Sequence, residues 1–158
     1  MSVTAPKGFV ASGVHCGLKP SGDRDLALVA TASGRPVEAA AVFTDNKMTA
    51  APVLTSDEHL RRTTGRAAAV VLNAGNANAA TGAPGRRHAQ QMCAAVADEL
   101  GCAPHEVLVC STGLIGIPLP IDAILGGVPD LVAGRGPSGA DAAEAIRTTD
   151  THRKETVV

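Results

Sequence analysis

Val107-Leu108-Val109-Cys110-Ser111-Thr112-Gly113-Leu114-Ile115-Gly116 begins as an apolar run and changes character within one step. Val107 to Val109 is short and β-branched, as a strand covered on both faces should be. The chain then offers two hydroxyls, a backbone N–H at Gly113 and no bulky side chain. In an open α/β sheet, ligands bind beyond the carboxyl ends of the strands, which places candidate chemistry at Ser111-Thr112-Gly113. A hydroxyl beside a glycine N–H is a pair of donors suited to an oxyanion. Ser-Thr-Gly after a strand is more often a plain turn, so the residues alone leave both readings open.

Working outward, the 158 residues suffice for one domain, 1–158, with a sizeable core. Apolar residues make up 45% and charged residues 18%, a globular balance. A net charge of −1 without a Lys/Arg cluster argues against a nucleic-acid partner. Two Phe, no Tyr and no Trp also remove base-stacking platforms and leave a core of Ala, Val, Leu and Ile. No apolar run approaches the ~20 residues of a membrane span, and the N-terminus lacks signal-peptide blocks, so a cytoplasmic protein is expected. Cys16, Cys93, Cys102 and Cys110 form no C-x-x-C pair; they read as small apolar fillers rather than metal ligands. No metal or cofactor is expected. Cys110 or Ser111 could be a nucleophile, but no motif positions a base beside either.

Residues 1–24 are rich in Gly and Pro and are expected to be a surface lead-in. Leu26 to Ala30 reads as a strand, with a second, Glu38 to Phe43, at hairpin spacing and paired antiparallel to it. Pro52 makes Ala51 to Leu54 an edge strand, before a short helix from Asp57 to Arg62 capped by Ser56. Ala67 to Leu72 is strand-like. It runs into the Asn- and Gly-rich loop Asn73 to Gly85, whose residues tolerate left-handed backbone and satisfy backbone groups locally. That loop lacks the lysine and spacing of a phosphate loop. Ala89, Met92, Cys93, Val96, Ala97 and Leu100 form one helical stripe, with Gly101 as the C-cap glycine and His88 at the polar start. Ile121 to Leu125 reads as a short helix, broken by Gly126-Gly127 and Pro129. A last helix is signalled by Ser138 with Asp141 three residues on, followed by Ala142 to Ile146. Thr156-Val157-Val158 looks like a strand beginning.

Four linked segments resemble one family. They are Ala41-Val42-Phe43-Thr44-Asp45-Asn46 with Ala50-Ala51-Pro52-Val53; Asn73-Ala74-Gly75-Asn76-Ala77-Asn78 with Thr81-Gly82; Cys110 to Gly116 with Leu119-Pro120; and Ala145-Ile146 with Thr148-Thr149-Asp150-Thr151. In this order they resemble the N-terminal part of the ornithine acetyltransferases, the bifunctional glutamate N-acetyltransferases of arginine biosynthesis. The resemblance implies an α/β fold, a mixed-sheet sandwich with helices. It implies a precursor that cleaves itself before a threonine, giving α and β chains that assemble as an αβ heterotetramer. The freed threonine would take acetyl from N-acetylornithine and pass it to glutamate. Carried over residue by residue, the oxyanion hole would be Thr112 and Gly113, and Thr148 would hold substrate.

The departures are as definite. The Lys-Gly-Ala-Gly run and Met-Ala-Thr cleavage segment of the family are absent from these 158 residues, and Thr156 stands too early to replace them. Arg147 replaces an apolar residue before Thr-Thr-Asp, and Arg153 stands where Pro is common. The expectation is most of an α chain, inactive alone. The alternative is a truncated paralogue without acyl chemistry, acting as a binding or assembly module.

Overall fold

The computed structural model describes residues 2–137 and 139–157. Its centre is a four-stranded mixed sheet built from β1 (Phe9–Val14), β2 (Leu26–Thr31), β5 (Ala69–Asn76) and β6 (Val107–Leu114), in that spatial order. The β1–β2 and β2–β5 pairs are antiparallel, while β5 and β6 run parallel from Ala69↔Val107 to Asn76↔Leu114. Two short strands, β3 (Val37–Glu38) and β4 (Arg66–Ala67), form a separate antiparallel pair. The helices are α1 (Ala51–Arg62), α2 (Gly82–Leu100), α3 (Ile121–Ala133) and α4 (Gly139–Ala145). This is the mixed-sheet α/β class expected.

Alternation along the strands divides the core. Leu26, Leu28, Val71, Val107 and Val109 face α2 and α3, where Met92, Val96, Ile124, Val128 and Leu131 are fully or almost fully buried. The opposite face is narrower: Ala27 and Ala11 meet Ala142 and Ala145 of α4, small side chains that let the helix approach closely. Helix α2 carries the stripe read from the sequence, and Gly101 closes it at φ 74°, a left-handed backbone that favours glycine.

Several local expectations are corrected. The neighbours of β2 are β5 and β1, the latter drawn from the supposed lead-in, while residues 39–46 have no regular structure and Val42 is 98% exposed. The tertiary partner decided this, since the apolar run to Phe43 had no neighbour to pair with. Ala51 to Leu54 is the first turn of α1, not an edge strand. Proline fits there because its missing N–H would be unpaired anyway. Ser56 consequently lies inside the helix rather than capping it. Helix α3 continues through Gly126-Gly127 and Pro129, carried by the stripe Ile124, Val128, Leu131 and Val132. Gly127 is needed there because a Cβ would sit 2.7 Å from the Cβ of Cys16. Strand β5 runs on through Asn76, so the Asn-rich loop begins later than expected. Thr156 and Val157 are not in a strand. The expected caps and strand end at Ser138 and Val158 lie outside the described residues.

Candidate active site

Strand β6 is an edge strand, and α1 lies against it. The Ser56 hydroxyl donates to the Val109 carbonyl (2.8 Å) and accepts from the Val109 N–H (2.9 Å). His59 Nδ1 lies 2.8 Å from the Val107 carbonyl oxygen. Buried side chains thus satisfy an edge that would otherwise invite pairing. Past Val109 this cover ends. Cys110, Gly113 and Leu114 are exposed, and Ser111 and Thr112 half-buried.

Ser111-Thr112-Gly113 lies in the second half of β6 and is not a turn, a correction at the focal segment. Gly113 pairs with Gly75 of β5, and both have left-handed φ, 128° and 110°. A Cβ on Gly113 would lie 2.3 Å from the Gly75 carbonyl carbon, so nothing larger than glycine fits. The neighbouring loop is held by its polar residues. The Asn78 N–H donates to Ser111 Oγ (2.8 Å), Asn73 Nδ2 to the Asn76 carbonyl (2.7 Å) and Asn78 Nδ2 to the Gly85 carbonyl (2.8 Å). Ser111 is thereby committed to holding that loop, which explains its place beside the site without a nucleophilic role.

At the carboxyl ends of β5 and β6 lies an open cleft of about 580 Å³. It brings together Thr112, Gly113 and Thr148, the three residues singled out from the sequence, with Lys19, Glu144 and Arg147. Thr148 reaches it because α4 ends at Ala145, immediately before this segment. Arg147 donates to Glu144 Oε1 (2.9 Å) and to the Asp150 carbonyl (3.1 Å), which fixes the turn carrying Thr148. The arginine that departs from the family pattern therefore has a structural task here.

The sequence reading missed what supports the cleft from β2. Asp25 is fully buried, and its carboxylate accepts backbone N–H groups of Cys16 (2.6 Å), Gly17 (3.2 Å), Leu18 (2.6 Å) and Lys19 (3.0 Å). Burial acts to raise this carboxyl, but the N–H donors of Cys16, Lys19 and Leu18 and the Cys16 thiol outweigh it and hold the group below the ordinary 3.8. Burial first, and then the Asp25 charge and hydrogen bond, push the Cys16 thiol up to about 12. The loop so pinned packs on Gly75, where a Cβ would meet the Leu18 carbonyl oxygen at 3.2 Å and Lys19 Cγ at 3.3 Å. An acidic residue directly before a strand was the only sequence signal for this arrangement.

Cys110 is exposed as a residue, yet partial desolvation of its sulfur raises the thiol, so it is poorly suited to act as a thiolate. Among the described residues there is no group of three or more His, Cys, Asp or Glu side chains placed to hold a metal. No helix of the described residues is long and apolar enough to cross a membrane.

An α/β chain with a glycine-lined cleft at the ends of parallel strands is the class that this geometry defines. The chain belongs to the ArgJ family, whose pattern matches residues 10–158. It is 51% identical over 149 residues to the arginine biosynthesis bifunctional protein ArgJ of Geobacter sulfurreducens, covering 94% of this chain and 37% of that protein. It is 50% identical to the protein of the same name from Streptomyces coelicolor, covering 100% of this chain and 41% of that one. The chain thus spans about two fifths of the length of these curated relatives. Among solved structures, ornithine acetyltransferase complexed with ornithine from Mycobacterium tuberculosis superimposes with a TM-score of 0.88 at 47% identity, covering 96% of this chain and 81% of that one. The ArgJ structure from Bacillus halodurans gives 0.89 at 38% identity, covering 96% and 78%.

Proposed function

We propose that this chain contributes the oxyanion hole and one wall of the substrate cleft to an acetyltransferase that moves acetyl from N-acetylornithine to glutamate in arginine biosynthesis. The observation that carries the reading is the meeting of Thr112, Gly113 and Thr148 in one cleft at the ends of β5 and β6. Thr112 and Gly113 supply a hydroxyl and a backbone N–H for the oxygen that becomes negative in the tetrahedral intermediate. The glycine pair Gly75–Gly113 keeps that spot free of side chains, so a substrate carbonyl can approach the backbone. Thr148 holds the amino-acid substrate on the opposite wall.

The nucleophile is a threonine supplied by a segment outside these 158 residues, at the head of a complementary β chain with which this chain assembles. Acetyl passes from donor to that hydroxyl and then to the glutamate amine, in two half-reactions sharing one oxyanion site. No group within the chain takes over this step: Ser111 is tied to the Asn78 loop and the Cys110 thiol is raised by burial.

The test is reconstitution. The 158-residue chain alone should give no turnover of N-acetylornithine with glutamate, and intact-mass spectrometry should show no self-cleavage. Co-expression with the complementary ArgJ segment should restore transfer. Robust turnover by the chain alone, or none in the assembled protein, would overturn the reading.

A further inference from the structure

Val109 turns its N–H and carbonyl toward Ser56 on α1, away from β5. Leu114 turns its carbonyl the other way, where it accepts the Ala77 N–H at 2.8 Å. Backbone groups alternate sides along a strand, so odd-numbered residues of β6 face the free edge and even-numbered ones face β5. The N–H of Gly113 therefore stands on the free edge, where an oxyanion can reach it. Glycine has the freest backbone of any residue, and no side chain braces this one. The direction of that N–H has to be imposed by its neighbours.

Asn76 is placed to impose it. The residue is 8% exposed, and its backbone lies directly against Gly113, where a Cβ would meet the Asn76 nitrogen at 2.7 Å. Its Nδ2 donates to the Pro118 carbonyl at 3.1 Å, while the next residue, Ala77, holds the Leu114 carbonyl. Both ends of the loop 114–118 are thus tied to two consecutive residues following Gly75. Side-chain packing does little to hold this loop, since Leu114, Ile115 and Ile117 are 66%, 64% and 51% exposed. The Asn76 carbonyl in turn accepts Asn73 Nδ2 at 2.7 Å and the Ser111 hydroxyl at 3.3 Å. Asn76 therefore bonds to β6 immediately before Thr112-Gly113, through Ser111, and to the chain after it, through Pro118.

We infer that Asn76 is a positioning residue for the oxyanion site, acting through Gly113 by clamping the chain on both sides of the Thr112-Gly113 pair. This rests on the function proposed above and adds to it the group that aims the backbone donor. A donor aimed before the charge develops needs no reorganisation as the tetrahedral intermediate forms. Asn76 touches neither substrate nor nucleophile in this role. Its loss leaves Thr112 and Gly113 present but less well aimed, and a misplacement on the order of 1 Å costs about 10²-fold in rate.

The test uses the assembled full-length protein, acetylated in the absence of glutamate by N-acetylornithine isotopically labelled at the acetyl carbonyl carbon. Infrared difference spectroscopy reads the carbonyl band of the acetyl-enzyme, which hydrogen bonds from the oxyanion site shift to lower wavenumber. In Asn76→Ala the band should move to higher wavenumber. Its kcat should fall about tenfold to a hundredfold, less than for Thr112→Ala, with KM for N-acetylornithine little changed. Asn76→Leu keeps the volume but not the donor, and should follow Asn76→Ala. Ser111→Ala releases the Asn76 carbonyl and the Asn78 N–H, and should move both readouts the same way by less. A wild-type band and kcat in Asn76→Leu, or a change confined to KM, overturns the inference. If the Asn76 variants do not assemble, an unmoved band and kcat in Ser111→Ala overturn it. A wild type that transfers no acetyl, or a band that Thr112→Ala leaves in place, instead removes the proposed function, a failure visible without any Asn76 variant.

Discussion

Within β6, Val107 and Val109 are buried against α2 and α3 and fastened along the free edge by Ser56 and His59, whereas Thr112 to Leu114 run out of that cover beside a second glycine. The same strand with the same partner β5 thus serves two purposes. Its first half is held by volume and by side-chain bonds to its backbone. Its second half is emptied of volume, which leaves its backbone open to the cleft. The rigid half positions the open half, which is why a site can stand on a strand end without a large pocket behind it.

Substitutions in the two halves should therefore separate stability from activity. Met92→Ala removes a fully buried side chain packed under the first half and should cost about 2–5 kcal/mol of stability. Chemical denaturation of the assembled protein measures it, with kcat per folded molecule unchanged. Thr112→Ala in the open half should do the reverse, lowering kcat by about 10²–10³ while the denaturation midpoint stays put. Thr148→Ala should act mainly on KM, and an exchange of these two effects would reverse the assigned roles.

Ser56→Ala blurs the boundary between the halves. It strands both the N–H and the carbonyl of Val109 and should cost about 1–3 kcal/mol in the same denaturation measurement. A loss near zero would mean that water replaces the hydroxyl at that edge.

The smallest effect is expected from acid. The Asp25 carboxyl is depressed in the folded protein, so its contribution is fully present above the unfolded value near 3.8 and fades as pH falls through the lower folded value. Through Asp25, denaturation midpoints should not change with pH near neutrality and should fall below pH 3.8, and Asp25→Asn should flatten that acid decline. An unchanged acid decline in the variant would assign it to other carboxylates.

Helix α2 and the first halves of β2, β5 and β6 were legible because their signals are local: a 3.6-residue stripe, a capping glycine and β-branched runs. The candidates Thr112, Gly113 and Thr148 came from family resemblance, with the strand-end argument pointing separately to the first two, and all three line one cleft. What was not legible depended on contacts distant in sequence. Gly13 in β1 reads as a breaker, yet a Cβ there would fall 2.2 Å from the Asp141 carbonyl oxygen of α4, so glycine is what lets that helix dock. Gly127 was misread for a similar reason, since a Cβ there would sit 2.7 Å from the Cβ of Cys16. Pro52 was read by its cost to a ladder rather than its fitness for a first helical turn. The Asp25 cradle and Lys19 carry no motif, since four backbone N–H groups leave no trace in residue types.

The most direct test of the oxyanion assignment is a crystal structure of the assembled full-length protein trapped as its acetyl-enzyme. The carbonyl oxygen of the acetyl group should lie about 2.7–3.1 Å from both Thr112 Oγ1 and the Gly113 nitrogen. An acetyl oxygen turned away from both, with Thr112 and Gly113 contacting only solvent or protein, would contradict the account.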